Sequence, residues 1–451
     1  MAETVDVIVL GMGPGGEVAA SRLLEAGRRV AVVERELIGG ECSYWACIPS
    51  KTLLRAPEVH SEAERAAGVG TPALDWPAIA DYRDYITRHL DDQAQVRGYQ
   101  DQGAVVVRGA GRLAGPGRVE VDGQVLEAEH VVLATGSDPV RPPIEGLDQV
   151  EVWTNREATQ LREVPGRALV IGGGPVGLEL GQLLARLGSQ VTLVQRPGRL
   201  IDREEPRVGE LIGKALSDEG VDVRAGRRVV RASRHAGGTV VELDDGATVE
   251  TDVIVIGAGR TPRAGELGLE TVGVEAGPRG VRVDDRCQVV GAEGLWAIGD
   301  VTGVALFTHI AKYQGRVVAA NLLGGDRRAS YQGVPRVVFS DPEIAAVGLT
   351  QEQARRPEAG NDVVTATVSL PDAISRPWTY EREPRGELGL VADRGRRVLL
   401  GAWAVAPLAS EWIHQAALAV RAQVPIDVLL DGVAQFPTYA EGFLTALEQL
   451  K

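Results

Sequence analysis

The feature that most limits what this chain can fold into is a glycine-rich turn that occurs twice in the same setting. Val5 to Leu10 is a short apolar run fit for a buried strand. Gly11-Met-Gly13-Pro-Gly-Gly16 follows, then a helical pattern from Glu17 to Ala26 that Gly27 ends. A second strand runs from Val30 to Val33, with Glu34 at its C-terminal end. Ala168 to Ile171, Gly172-Gly-Gly174-Pro-Val-Gly177 and Leu178 to Leu187 repeat that order, and Gly188, Val191 and Gln195 fall in register with Gly27, Val30 and Glu34. Each copy reads as a βαβ unit for a dinucleotide. The first glycine allows the tight turn, the second lets backbone approach a pyrophosphate, and the third lets helix and strand pack closely. One such turn is weak evidence, but two copies in register predict two bound dinucleotides, or one dinucleotide and a pseudo-copy.

The register also allows the two sites to be compared. Glu34 is placed to accept hydrogen bonds from the ribose of an adenosine half. Gln195 stands in its place in the second copy and removes the carboxylate that would repel a 2′-phosphate. Arg196 and Arg199 follow, although Arg35 occupies the place equivalent to Arg196 in the first copy. The second site is therefore expected to take NADPH rather than NADH.

A chain of 451 residues is too long for one hydrophobic core, and 44% hydrophobic with 24% charged residues describes packed domains throughout. A formal charge of -14 with no basic run argues against nucleic acid or an anionic membrane surface as partner. The N-terminus reaches Gly11 before any signal-length apolar core develops, and no 18-residue apolar run follows, so a cytoplasmic enzyme is expected. In that compartment three cysteines do not make a structural disulfide framework. The close pair Cys42 and Cys47 is then catalytic or metal-binding, and Cys287 is a small buried residue. A metal would want further ligands at short spacing, and the six histidines, His60, His89, His130, His235, His309 and His414, are scattered, so no metal is expected. Lysine occurs only at Lys51, Lys214, Lys312 and Lys451, and the first of these lies beside the cysteine pair.

That pair sits in Gly39-Gly40-Glu41-Cys42-Ser43-Tyr44-Trp45-Ala46-Cys47-Ile48-Pro49-Ser50-Lys51. Two thiols with four residues between them can close a small disulfide if the local helix is irregular. One thiolate would be stabilised by a helix N-terminus or a nearby cation. Lys51 is placed to be that cation or to contact a flavin ring.

The segment resembles the active-site motif of the pyridine nucleotide-disulfide oxidoreductases, the family of lipoamide dehydrogenase, glutathione reductase and mercuric reductase, and the resemblance covers nearly the whole chain. Ala134-Thr135-Gly136 resembles the family's crossover between nucleotide domains, and Gly257-Ala-Gly259-Arg260-Thr-Pro262 its return. Leu295-Trp-Ala-Ile-Gly299-Asp300 resembles its second FAD motif, and Glu179 matches the glutamate that pairs with the flavin-side lysine, here Lys51. From Val334 onward, Asp341-Pro-Glu343 and Val347-Gly348-Leu349-Thr350 are similar to its interface domain.

The resemblance implies an α/β fold of two Rossmann-like three-layer nucleotide-binding domains and an α+β C-terminal dimerisation domain. FAD would occupy residues 1–149 and 263–333, held by Gly11, Gly13, Gly16, Glu34, Ala134, Thr135, Gly136 and Asp300. NADPH would occupy 150–262, on Gly172, Gly174, Gly177, Gln195, Arg196, Arg199 and Gly259, and residues 334–451 would form a homodimer. Hydride would pass from NADPH to flavin, electrons to Cys47, and Cys42 would exchange with a small-molecule acceptor, a disulfide or another electrophile.

One departure is plain. Disulfide-reducing relatives carry His-Pro-Thr followed by glutamate, the histidine serving the partner subunit as acid-base, whereas this chain reads Phe436-Pro437-Thr438-Tyr439-Ala440-Glu441, with no histidine after His414. General acid-base help contributes roughly 10²- to 10⁴-fold in such a step. Soluble pyridine nucleotide transhydrogenases also carry an aromatic residue before Pro-Thr and a tryptophan comparable to Trp45, but lack the second cysteine. The ketopropyl-coenzyme M carboxylase branch places phenylalanine at the histidine position, but its cysteine motif does not end in Pro-Ser-Lys. A transhydrogenase or diaphorase not needing the cysteines, or a carboxylase-like reaction, is the alternative. Tyr44 and Trp45 add bulk beside Cys42 that either reshapes the substrate site or packs at the dimer interface. His414 could replace the missing base, although its setting resembles an interface helix.

Overall fold

The computed structural model describes residues 3–450. The chain forms two compact units, the first made of residues up to Ser50 with Asp81–Val140 and Gly259–Ser330, the second of Lys51–Ala80, Arg141–Ala258 and the chain from Tyr331 onward.

In the first unit, β1 (Glu3–Leu10) lies between β2 (Val30–Glu34) and the strand Gln124–Leu133, parallel to both, with Val7 opposite Val30 on one side and His130 on the other. A strand flanked in this way is apolar on both faces. Val7 and Val9 pack into a core with Ala19, Leu23 and Val317, while Ile8 and Leu10 pack into a second core with Val121, Val281 and Leu295. The sheet is thus the middle of three layers. Helix α1 (Pro14–Glu25) begins three residues before the sequence pattern suggested, because the fixed φ of Pro14 suits a first helical turn. It packs on the helix Thr308–Leu322 at close range. A Cβ on Gly15 would lie 3.1 Å from the Ala311 carbonyl oxygen, and one on Gly315 would lie 2.6 Å from that of Gly15.

The second unit repeats the first motif. Arg167–Ile171 pairs in parallel with Gln190–Gln195 and Val253–Ile256, and the helix Pro175–Arg186 again starts on a proline. A three-stranded antiparallel sheet spans Val229–His235, Gly238–Leu243 and Thr248–Thr251. A five-stranded antiparallel sheet, ordered Pro335–Val338, Glu343–Gly348, Val398–Ala406, Glu387–Asp393 and Val363–Ser369, buries one face under the helices His414–Ala422 and Glu441–Glu448.

A charged knot ties these parts of the second unit together. Asp341 accepts from Arg65 (2.8 Å), Arg186 (2.9 Å) and Arg385 (2.5 Å), and its backbone N–H and carbonyl both bond the side chain of Gln182. Burial alone would raise the Asp341 carboxyl, but Arg385, Arg186 and Arg65 outweigh it and hold the group below its ordinary value. Asp341→Asn is expected to destabilise the fold by about 2 kcal/mol in chemical denaturation, since three half-buried guanidinium groups lose a shared carboxylate and keep only Glu381 or Glu219. Because the folded-state pKa lies below the unfolded one, the carboxylate's contribution is full above about pH 4 and is lost as pH falls through the lower folded value. The stability gap between Asp341→Asn and the unmodified protein should therefore narrow in acid.

Candidate functional site

Both glycine turns have the same internal logic. Gly11 has a φ of +99°, and a Cβ there would lie 2.5 Å from the Ala134 carbonyl oxygen; one on Gly16 would lie 2.1 Å from that of Gly11. In the second copy, Gly172 has a φ of +112° and would meet the Gly257 carbonyl oxygen at 2.4 Å, while Gly177 would meet that of Gly172 at 1.7 Å. The middle glycines, Gly13 and Gly174, have nothing within 4 Å of that position. The outer glycines are there for packing and the middle one leaves open the side from which a pyrophosphate approaches the helix N-terminus. Both turns fit the group the motif implies.

Glu34 and Gln195 hold their turns from the neighbouring strand. Glu34 Oε2 accepts from Met12 N (2.7 Å) and Oε1 from Glu36 N (2.8 Å), and Gln195 Oε1 accepts from Gly173 N (2.8 Å). Burial keeps the Glu34 carboxyl above its ordinary value despite both N–H groups. Arg196 is exposed. The Arg199 guanidinium donates to the carbonyls of Asp202 (2.8 Å) and Glu204 (3.4 Å).

The crossover residues close the first site. Ala134 N donates to Leu10 O, Thr135 Oγ1 donates to Arg263 O, Gly136 has a φ of +77° and Gly259 one of +110°. Ser137 Oγ donates to Asp300 Oδ2 (2.6 Å), Arg260 Nε donates to that same Oγ (2.8 Å), and Arg260 lies 3.6 Å from Glu41. Burial raises the Asp300 carboxyl. Fully buried Gln314 receives the Gly299 N–H (2.6 Å) and so fixes the turn that carries Asp300. Sequence reasoning missed Ser137, Glu41 and Gln314 as parts of this site. The one available signal was a glutamine in the apolar stripe of a buried helix.

The cysteine segment is backed directly onto the first turn, because a Cβ on Gly40 would lie 2.7 Å from Gly13 Cα. Cys42 lies in the short helix α2 (Gly40–Tyr44), Trp45 breaks it, and Cys47 opens the helix α3 (Cys47–Arg65). The irregularity that a small disulfide requires is thus present. Cys47 has the positive end of a 19-residue helix behind it and Thr308 Oγ1 3.3 Å from its sulfur. A hydrogen bond to Cys47, followed by burial and the charge of Cys47, drives the Cys42 thiol far up, while Thr308 and Lys312 oppose this. Cys287 is fully buried.

Lys51 Nζ binds Glu179 Oε2 (2.6 Å) and lies 4.8 Å above the Phe339 ring, and Glu179 Oε1 accepts from Phe339 N (3.1 Å). Tyr44 is fully buried, its hydroxyl donating to Ile38 O (3.1 Å) and its ring 5.7 Å from that of Trp45, which is half-buried. Phe436 is 74% exposed. Three residues on, Tyr439 is buried against Trp412, and Glu441 Oε2 accepts from Thr438 N (3.1 Å), so the segment is anchored while Phe436 projects. His414 is exposed at the start of its helix. Among the described residues no group of three or more His, Cys, Asp or Glu side chains could hold a metal ion, and no helix is long and apolar enough to cross a membrane.

Comparison with known proteins gives a consistent result. Residues 5–315 match the family model for pyridine nucleotide-disulphide oxidoreductases, and residues 334–447 match that family's dimerisation domain. The chain is 34% identical over 451 residues to a mercuric reductase of Bacillus cereus, covering 98% of this chain and 71% of that protein. It is 37% identical over 460 residues to a dihydrolipoyl dehydrogenase of Thermus scotoductus, covering 99% and 98%. The HOCl-induced flavoprotein disulfide reductase RclA of Escherichia coli superposes with a TM-score of 0.88 at 28% identity, over 99% of this chain and all of that one. The LpdA structure from Mycobacterium tuberculosis gives 0.87 at 28% over the same shares. With two glycine turns, a cysteine pair set on the first of them and a matching C-terminal domain, the chain belongs to the pyridine nucleotide-disulphide oxidoreductase family, whose members bind FAD and a pyridine nucleotide, and it is an NAD(P)H-dependent flavoprotein oxidoreductase.

Proposed function

We propose that this enzyme moves reducing equivalents from NADPH, by way of FAD, into the Cys42–Cys47 pair and from there to a disulfide or a related soft electrophile, working as a cytoplasmic homodimer. The observation that carries this reading is the inequivalence of the two sulfurs. Cys47, on a helix N-terminus and bonded to Thr308, is suited to hold the charge that appears when the disulfide opens, and Cys42 keeps the proton. Mercuric reductases and a flavoprotein disulfide reductase among the similar proteins fit an acceptor that is attacked by a thiolate.

Bound FAD supplies the two-electron relay that joins nicotinamide to thiol chemistry. It would be held by residues 1–149 and 263–333, through the backbone of Gly11, Gly13 and Gly16, by Glu34, by the crossover Ala134-Thr135-Gly136 and by Asp300. Lys51 would face the ring, held in place by Glu179. Residues 150–262 would hold NADPH on Gly172, Gly174, Gly177 and Gly259. Gln195 spends its amide oxygen on Gly173 N and so presents its NH₂ outward, a donor where Glu34 presents a carboxylate. With Arg196 and Arg199 beside it, this favours a 2′-phosphate. Residues 334–451 would pair two chains, bringing Phe436 and Glu441 of one chain to the cysteines of the other, a place where phenylalanine has no proton to offer.

Cys42→Ser tests the cysteine route. Turnover with disulfide acceptors should fall to background while NADPH still bleaches the flavin, and undiminished turnover would favour a transhydrogenase or diaphorase. Gln195→Glu should shift the NADPH-to-NADH ratio of kcat/KM toward NADH by about 1 to 3 kcal/mol; an unmodified enzyme that already prefers NADH would contradict the assignment. Phe436→His, with Glu441 nearby, should raise steady-state turnover with alkyl disulfides while stopped-flow reduction by NADPH stays unchanged.

A further inference from the structure

Opening a disulfide expels a thiolate that needs a proton, and Phe436 cannot give one. Within the first unit the helix Thr308–Leu322 turns its N-terminal end toward the cysteines, with Thr308 Oγ1 3.3 Å from Cys47 Sγ. Lys312 stands four residues on, on the same helix face as Thr308. It is exposed, and among the described residues no carboxylate comes within ion-pair distance of its ammonium group. Its charge nevertheless acts on Cys42 and on Glu17 in the first turn of α1. The tight packing of Gly15 on Ala311 and of Gly315 on Gly15 fixes these two helices against each other, so Lys312 is held one helical turn beyond Thr308, the residue that touches Cys47. His309 is the obvious rival. It projects about 100° around the helix from Thr308, and its ring stacks on Phe307, 5.1 Å between centroids.

We propose that Lys312 is the proton donor to the leaving thiolate, in place of the histidine that position 436 lacks; this rests on the disulfide reading above. In the reduced pair the proton of Cys42 crosses the hydrogen bond to Cys47, and the Cys42 thiolate attacks one acceptor sulfur. A bond forms between Cys42 Sγ and that sulfur, the acceptor S–S bond breaks, and its electron pair leaves on the second sulfur, which takes the proton of Lys312 Nζ. Cys47 then attacks Cys42 Sγ and gives its proton to the neutral Lys312 amine. The Cys42–Cys47 bond forms, and the second thiolate leaves and is protonated by water. The pair loses two electrons and one proton, the acceptor gains two electrons and two protons, and water supplies the difference. An alkylammonium is a weaker acid than an imidazolium, so a histidine at 436 would still add turnover.

Leaving-group dependence in the NADPH-reduced enzyme, followed anaerobically, tests this. Dithiobis(nitrobenzoate) releases a thiolate that needs no proton at neutral pH, whereas hydroxyethyl disulfide releases one that does. Lys312→Met should slow reoxidation by hydroxyethyl disulfide about 10²-fold and leave that by dithiobis(nitrobenzoate) within about twofold. Lys312→Arg, which keeps the charge but holds its proton, should be as slow as Lys312→Met, and His309→Gln should match the unmodified enzyme. Equal losses with both disulfides, rescue by arginine, or leaving-group dependence appearing in His309→Gln instead would each overturn the proposal. If the unmodified enzyme reduces neither disulfide, the disulfide reading itself falls and Lys312 with it.

Discussion

No methyl group fits at Gly16, where a Cβ would lie 2.1 Å from the carbonyl oxygen of Gly11. The absence of that one atom lets α1 start directly against its strand, and much of the geometry around the thiols follows from it. With α1 in place, Gly15 and Gly315 admit the helix Thr308–Leu322 at near-backbone distance, which carries Thr308 to Cys47. Gly40 packs against the backbone of Gly13, so the cysteine segment is seated on the first glycine turn. The contact between Gly177 and Gly172 repeats the device for the second nucleotide.

The thiols owe their difference to where each enters a helix. Cys47 opens the long α3 and shares the field of its N-terminus, whereas Cys42 lies in the short α2 and donates toward Cys47. This suits electron uptake, while Phe436 brings no proton to the discharge step. On the proposed route, reduction of the disulfide does not involve residue 436, and the acceptor's leaving group takes its proton from Lys312.

What could be read from the sequence divides along physical lines. The glycine turns were legible because all three constraints lie within six residues and recur, whereas the spacing of the two cysteines made an irregular helix only a condition for a disulfide. Gln195 was read as a nucleotide contact, yet its oxygen is bonded to the turn; which end of an amide faces the ligand is not written in a spacing. The burial of Tyr44 toward Ile38 could not be read from its adjacency to the thiols in sequence. The ion pair of Lys51 with Glu179 was accessible only through the family resemblance, since the partners lie far apart along the chain. The knot at Asp341 was not anticipated, because its three arginines come from three separate elements and surface arginines are abundant here.

The central claim is that electrons from NADPH come to rest on Cys42 and Cys47, and a thiol count tests it most directly. The chain has three cysteines, and Cys287 is fully buried in a core. Protein unfolded under anaerobic conditions should titrate as one thiol per chain before NADPH and three after it. A count that does not change on complete reduction of the flavin would contradict the account.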